Sequence, residues 1–177
     1  MGKLVILAIQ PYYPSNAPRY LVDAFEYVGC QVFRVGPKYF DHMGLKWPKE
    51  DLPLVDIELP HGADWNLNTL IDIVTKKYAA PDLLFLSEET YCNNIVPTEK
   101  VPSILYSCDG WPNNYARADL FQCTVNFTNH PLGIDLYPRQ EIDSRWQFLP
   151  GAAAPWVHKN LGLKPDIWDF CLLASYY

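Results

Sequence analysis

The segment Lys3-Leu-Val-Ile-Leu-Ala-Ile9 is apolar without a break after its first residue, and it narrows the fold more than any other feature. A strand with one wet face alternates apolar and polar residues. A strand buried on both faces is apolar throughout, as inside a parallel sheet. Parallel neighbours need a crossover, usually a helix. The next residues supply one. After Gln10-Pro-Tyr-Tyr-Pro14, Ser15 and Asn16 offer an N-cap and Pro18 falls in the first turn. Ala17, Leu21, Ala24, Phe25 and Val28 then recur at helical spacing, and Gly29 supplies the stop. Gln31-Val-Phe-Arg-Val35 reads as the returning strand, so the chain opens with a βαβ unit.

The same alternation continues less regularly. Residues 36–53 read as loop, and residues 54–59 as a short strand. Asp64 or Asn66 caps a helix whose apolar positions are Leu67, Leu70, Ile71, Val74 and Tyr78. Further strands are expected at residues 82–86, 102–107, 121–127, 146–149 and 170–174, with a short helix starting at Pro112. Strands alternating with helices predict an α/β fold: an open, mostly parallel Rossmann-like sheet with helices on both faces.

Composition excludes several classes. The 177 residues suit one domain, and 49% apolar content builds a core without a metal or disulfide staple. The net charge of −6, with no basic stripe, argues against a nucleic-acid partner. No apolar run reaches the length of a membrane span. Cys30, Cys92, Cys108, Cys123 and Cys171 are scattered with no C-x-x-C, which reads as reduced thiols in a cytoplasmic protein. A sequon, Asn126-Phe127-Thr128, sits inside an apolar run and is read as chance. Aromatic content of 15%, alongside sixteen prolines, suggests rings available to line a cleft.

The connection after the first strand is not G-x-G-x-x-G, and P-loop, G-x-S-x-G and H-E-x-x-H patterns are missing. Asp56-Ile57-Glu58 is the nearest approach to an acidic metal motif, but it falls in an expected strand, and no metal is expected. In doubly wound sheets ligands bind beyond the carboxyl ends of the strands. That rule selects Gln10, Tyr12, Tyr13, Asn16 and Arg19 after the first strand, and Ser87, Glu88 and Glu89 after the strand at 82–86. It also selects Asp109 and Trp111, then Thr128, Asn129 and His130, after the next two. Each has a plainer role: Asn16 and Asp109 as helix caps, Glu88 and Glu89 as a solvated helix start, His130 as a loop residue, and Tyr12, Tyr13 and Trp111 as packing. Histidine titrates near neutrality, which keeps His130 among the candidates.

The second half carries a resemblance. Ser103-Ile-Leu-Tyr-Ser-Cys-Asp-Gly-Trp111, Trp146-Gln-Phe-Leu-Pro-Gly-Ala-Ala-Ala-Pro155 and Asp169-Phe-Cys-Leu-Leu-Ala-Ser-Tyr176 follow in order. They resemble the middle of a GT-B glycosyltransferase of the spore-maturation, CgeB-like group. The opening strand and helix are similar to that family's amino-terminal domain, and Ser175 stands where the family tends to have glycine. The resemblance implies two Rossmann-like domains facing across a cleft, the first holding the acceptor and the second a nucleotide-sugar donor. Residues 1–165 would then be the acceptor-side domain, and residues 166–177 the first strand of a donor domain missing from this chain.

Two functions from different classes follow. The first is the acceptor-side domain of a nucleotide-sugar-dependent glycosyltransferase, inactive alone, with Asp109, Glu88 or His130 as the base and Gln10, Tyr12, Tyr13, Asn16, Arg19, Glu89, Trp111 and Asn129 holding a small-molecule or saccharide acceptor. No cofactor is expected in the chain itself; a nucleotide-sugar donor belongs to the full-length enzyme. The exposed surface of a half-enzyme favours self-association into a homo-oligomer. The second is a stand-alone α/β module that holds a ligand without catalysis. A small hydrolase or flavodoxin-like protein would need a phosphate loop or an elbow serine, and neither is present. The apolar segment at 170–174 is expected to be buried in a contact, since unpaired it would be a sticky edge.

Overall fold

The opening apolar run becomes the centre of a sheet. A computed structural model describes residues 2–12, 17–38, 41–42, 45–60, 66–87, 101–107, 123–128 and 146–149. In chain order these form β1 (Val5–Ile9), α1 (Ala17–Tyr27), β2 (Gln31–Gly36), β3 (Asp41–His42), β4 (Leu45–Lys46), a 3₁₀ turn (Lys49–Asp51), β5 (Ile57–Glu58), α2 (Leu67–Lys77), β6 (Leu83–Ser87), β7 (Ser103–Ser107), β8 (Val125–Thr128) and β9 (Trp146–Phe148). Seven strands make one sheet in the order β5-β2-β1-β6-β7-β8-β9, with every neighbouring pair parallel. The open Rossmann-like α/β sheet expected from the sequence is therefore present.

Strand order and helix placement share one cause. From β1 the chain moves outward through β2 to β5, then returns through α2 to β6 on the other side of β1. Parallel crossovers keep a right-handed sense, so reversing the direction of travel moves the helix to the opposite face. Accordingly α2 buries Leu67, Leu70 and Val74 against Leu7, Ile9, Val35, Leu84, Leu86 and Leu105. On the other face α1 buries Val22, with Leu21 and Phe25, against Ile6, Ala8, Val32, Phe85 and Tyr106. The Phe25 and Phe85 rings meet edge to face at 5.4 Å, a favoured aromatic geometry.

Both helices end as their sequences require. At α1 the Gly29 N–H donates to Glu26 O, the Cys30 N–H donates to Phe25 O, and Gly29 has φ +94°. This is a Schellman termination, which needs a left-handed residue. It ends the helical face earlier than the apolar spacing implies. Val28 is 72% exposed, and Val22, absent from the spacing read off the sequence, takes the fully buried position. At α2 the Asn66 side chain accepts from the Thr69 N–H at 3.1 Å, so of the two candidate caps Asn66 does the capping. Tyr78 lies just past α2, stacked on Phe33 at 4.5 Å.

Two further expectations are corrected. The stretch 36–53 is not all loop, because β3 and β4 pair antiparallel and a 3₁₀ turn follows. The strand expected at 54–59 shrinks to Ile57–Glu58, which pairs only with β2 at Val35 and Gly36. Leu54 stays 86% exposed. The helix expected from Pro112 and the strand expected at 170–174, with its burial, lie outside the described residues. The sequon falls within β8, where Asn126 is 3% exposed and Thr128 fully buried, so the folded chain hides it from modification.

Side chains complete the ladders where strands begin. Asp82 Oδ2 accepts from the Val5 N–H at 2.8 Å. Asp56 Oδ2 accepts from the Arg34 N–H at 2.7 Å. Ser103 and Thr124 exchange reciprocal bonds, each backbone N–H donating to the other's hydroxyl, at 3.0 and 3.2 Å. Each bond joins neighbouring chain segments of the sheet and helps set their register.

The β1–β2 junction is tighter still. The Gln10 N–H donates to Val35 O, the Tyr12 N–H donates to Pro37 O, and Tyr12 bridges to Lys38, so the two chains stay paired beyond their strand ends. A Cβ at Gly36 would lie 1.8 Å from the Gln10 carbonyl oxygen and 3.3 Å from Tyr12 Cε2. Gly36→Ala should therefore destabilise the fold by roughly 1–3 kcal/mol, read as a lower urea midpoint at pH 7. An unchanged midpoint would contradict this close approach.

Candidate functional site

The sheet reverses its order between β1 and β6. At such a switch point the connections leave in opposite directions and open a crevice beyond the carboxyl ends of the strands. Gln10 stands at the end of β1 and Ser87 at the end of β6, one register step past the Ile9↔Leu86 pair. The row continues through Ser87↔Tyr106 and Tyr106↔Phe127. Gln10 follows Ile6 and Ala8 at strand alternation, which puts this row on the α1 side of the sheet. Ser107 and Thr128 pair at the same edge on the α2 side.

Gln10 is the residue whose chemistry is incomplete. It is fully buried, and neither Nε2 nor Oε1 of its side chain has a hydrogen-bond partner. The amide lies beside the Tyr12 phenol without reaching hydrogen-bond geometry. A buried amide group left unpaired costs about 1–3 kcal/mol, so a fold keeps one only where something else compensates. Asn126 Oδ1 is also buried and unpartnered, but on the α2 side, in register with Leu105 and Trp146.

The other candidates divide plainly. Tyr12 is fully buried and its hydroxyl donates to Ala8 O at 3.1 Å, which gives it a packing role. Burial pushes its phenol well above the ordinary tyrosine range, so it stays a donor. Arg19, in the first turn of α1, pairs with Asp23 at 3.7 Å and lies 5.6 Å from the Tyr20 ring centroid. Tyr13, Asn16, Glu88, Glu89, Asp109, Trp111, Asn129 and His130 lie outside the described residues. The strand-end rule applies equally to Tyr106 and Ser107, which the reading of the sequence passed over. Gly36 left only a strand-terminal glycine as a signal.

Charge near this edge is mutually satisfied. Arg34 donates from Nη1 to Glu26 Oε1 at 2.5 Å, and from Nη2 to Glu26 Oε2 at 2.8 Å and to Asp23 Oδ1 at 3.0 Å. This ties α1 to β2. The Lys38 ammonium sits 3.5 Å from Glu58. The motif Asp56-Ile57-Glu58 is thus spent on Arg34 and Lys38, and among the described residues no group of three or more His, Cys, Asp or Glu comes together. Among the described residues no helix is long and apolar enough to cross a membrane.

Backbone chemistry adds to this picture. Pro11, Pro14 and Pro18 fall in or beside the connection from β1 to α1, and proline carries no N–H. A pyrophosphate cradle is built from such donors at a glycine-rich turn, and this connection is poor in them. Comparison with protein-family models, curated proteins and solved structures found no match.

The Arg34 fork holds the Glu26 carboxyl below its ordinary value, with hydrogen bonding outweighing burial. A depressed carboxylate contributes stability above its unfolded value, near 4.3, and loses that contribution as pH falls through the folded value. The urea midpoint of the native chain should therefore drop more steeply between pH 5 and 3 than that of Glu26→Gln. Parallel pH profiles for the two would show that this ion pair does not couple to folding.

Proposed function

We propose that the chain is the acceptor-side domain of a nucleotide-sugar-dependent glycosyltransferase of the GT-B type, taking a small-molecule or saccharide acceptor at the carboxyl edge of its sheet. The observation that carries this reading is the switch point between β1 and β6, with an unpartnered buried amide at its lip. The parallel sheet with helices on both faces suits such a domain, and the segments quoted from the second half of the sequence support it through their resemblance to the CgeB-like group.

The reaction in this reading is attack of an acceptor hydroxyl on the anomeric carbon of the donor sugar. A base takes the hydroxyl proton and the nucleoside diphosphate leaves. Glu88, Asp109 and His130 follow β6, β7 and β8 within a few residues in the sequence, so the base is sought among them. The nucleotide-sugar binds a second domain, and residues 1–177 alone hold acceptor without turning over donor. A stand-alone binding module is the second reading, favoured by the neutral Gln10, Ser87 and Tyr106 row.

Calorimetric titration with neutral saccharides, paired with a UDP-sugar hydrolysis assay, tests the assignment. Saccharide binding without hydrolysis is expected. Hydrolysis by this chain alone, or no saccharide bound at millimolar concentration, would overturn it.

A further inference from the structure

We propose that Gln10 is a specificity-determining residue whose side-chain amide reads a neutral polyol, one hydroxyl accepting from Nε2–H and its neighbour donating to Oε1. This rests on the acceptor reading above and names the chemistry of its ligand.

Among the described residues at the switch point, Gln10 carries an amide with both ends unused. A carboxamide offers a donor and an acceptor side by side, and two vicinal hydroxyls of a pyranose offer the matching pair. Simpler partners match poorly. A carboxylate offers acceptors alone and would leave Oε1 facing negative charge, and a phosphate, even where one P–OH donates to Oε1, would bring its charge into a buried site where the nearby cations Lys38 and Arg34 are already paired.

The surroundings also disfavour an anion. Lys38 and Arg34 are paired to carboxylates. The row Gln10, Ser87, Tyr106 instead lines up an amide and two hydroxyls across neighbouring strands.

Gln10→Met keeps length and flexibility while removing both polar atoms. It should raise the melting temperature of the unliganded chain by about 2–4 °C, since unpaired buried groups disappear. It should also weaken binding of neutral methyl hexopyranosides by roughly tenfold. In the unmodified chain, the Gln10 side-chain NH₂ resonances should move on titration with those glycosides and stay still with inorganic phosphate. If Gln10→Met melts lower and binds the glycosides equally well, or the resonances ignore bound glycoside, Gln10 is a structural residue. The inference then fails while the acceptor reading stands. If phosphate moves the resonances and no glycoside binds, both fail.

Discussion

The rest of the structure depends on the pairing of β1 on both of its edges. Ile6, Leu7, Ala8 and Ile9 are fully buried, alternately facing α1 and α2, while the backbone pairs with β2 on one side and β6 on the other. Burying a large aliphatic side chain contributes roughly 1.5–3 kcal/mol. A strand that buries four consecutive residues on two faces is therefore the natural place for the sheet to organise. The chain leaves β1 outward through α1 to β2 and, once α2 has returned it to β6, leaves β6 the opposite way to β7, and these opposite directions create the switch point.

Functional placement follows from that constraint. Where neighbouring connections diverge, the carboxyl ends of the strands become the place where ligands bind in such sheets. Most polar groups at this edge are satisfied. Tyr12 turns inward to Ala8, Arg34 is held by two carboxylates, and Gly36 lets the Gln10 backbone pass at a distance no side chain would allow. Among the described residues on the α1 side of this edge, the unpartnered group is the neutral amide of Gln10. The local chemistry thus favours a ligand that hydrogen-bonds over one that carries charge.

The sheet was legible because buried parallel strands write themselves as unbroken apolar runs. Residues 4–9, 83–86 and 104–106 needed no tertiary knowledge. Elements held by one edge were not legible. Asp41-His42 and Leu45-Lys46 carry no periodicity, and the strand read at 54–59 keeps only Ile57–Glu58, the part that Val35 and Gly36 pair with. Val28 misled because spacing cannot see the left-handed turn at Gly29 that ends the helix first. At the site, the strand-end rule found Gln10 by position. That its amide is buried and unpartnered is a tertiary fact, written in the packing around it, and no local pattern announces it.

The most direct test of the account is a crystal structure of the chain soaked with a neutral methyl hexopyranoside. The account predicts the sugar beyond the carboxyl ends of β1 and β6, with adjacent hydroxyls on Nε2 and Oε1 of Gln10. A sugar bound at the amino edge of the sheet, with the Gln10 amide still unpartnered, would contradict it.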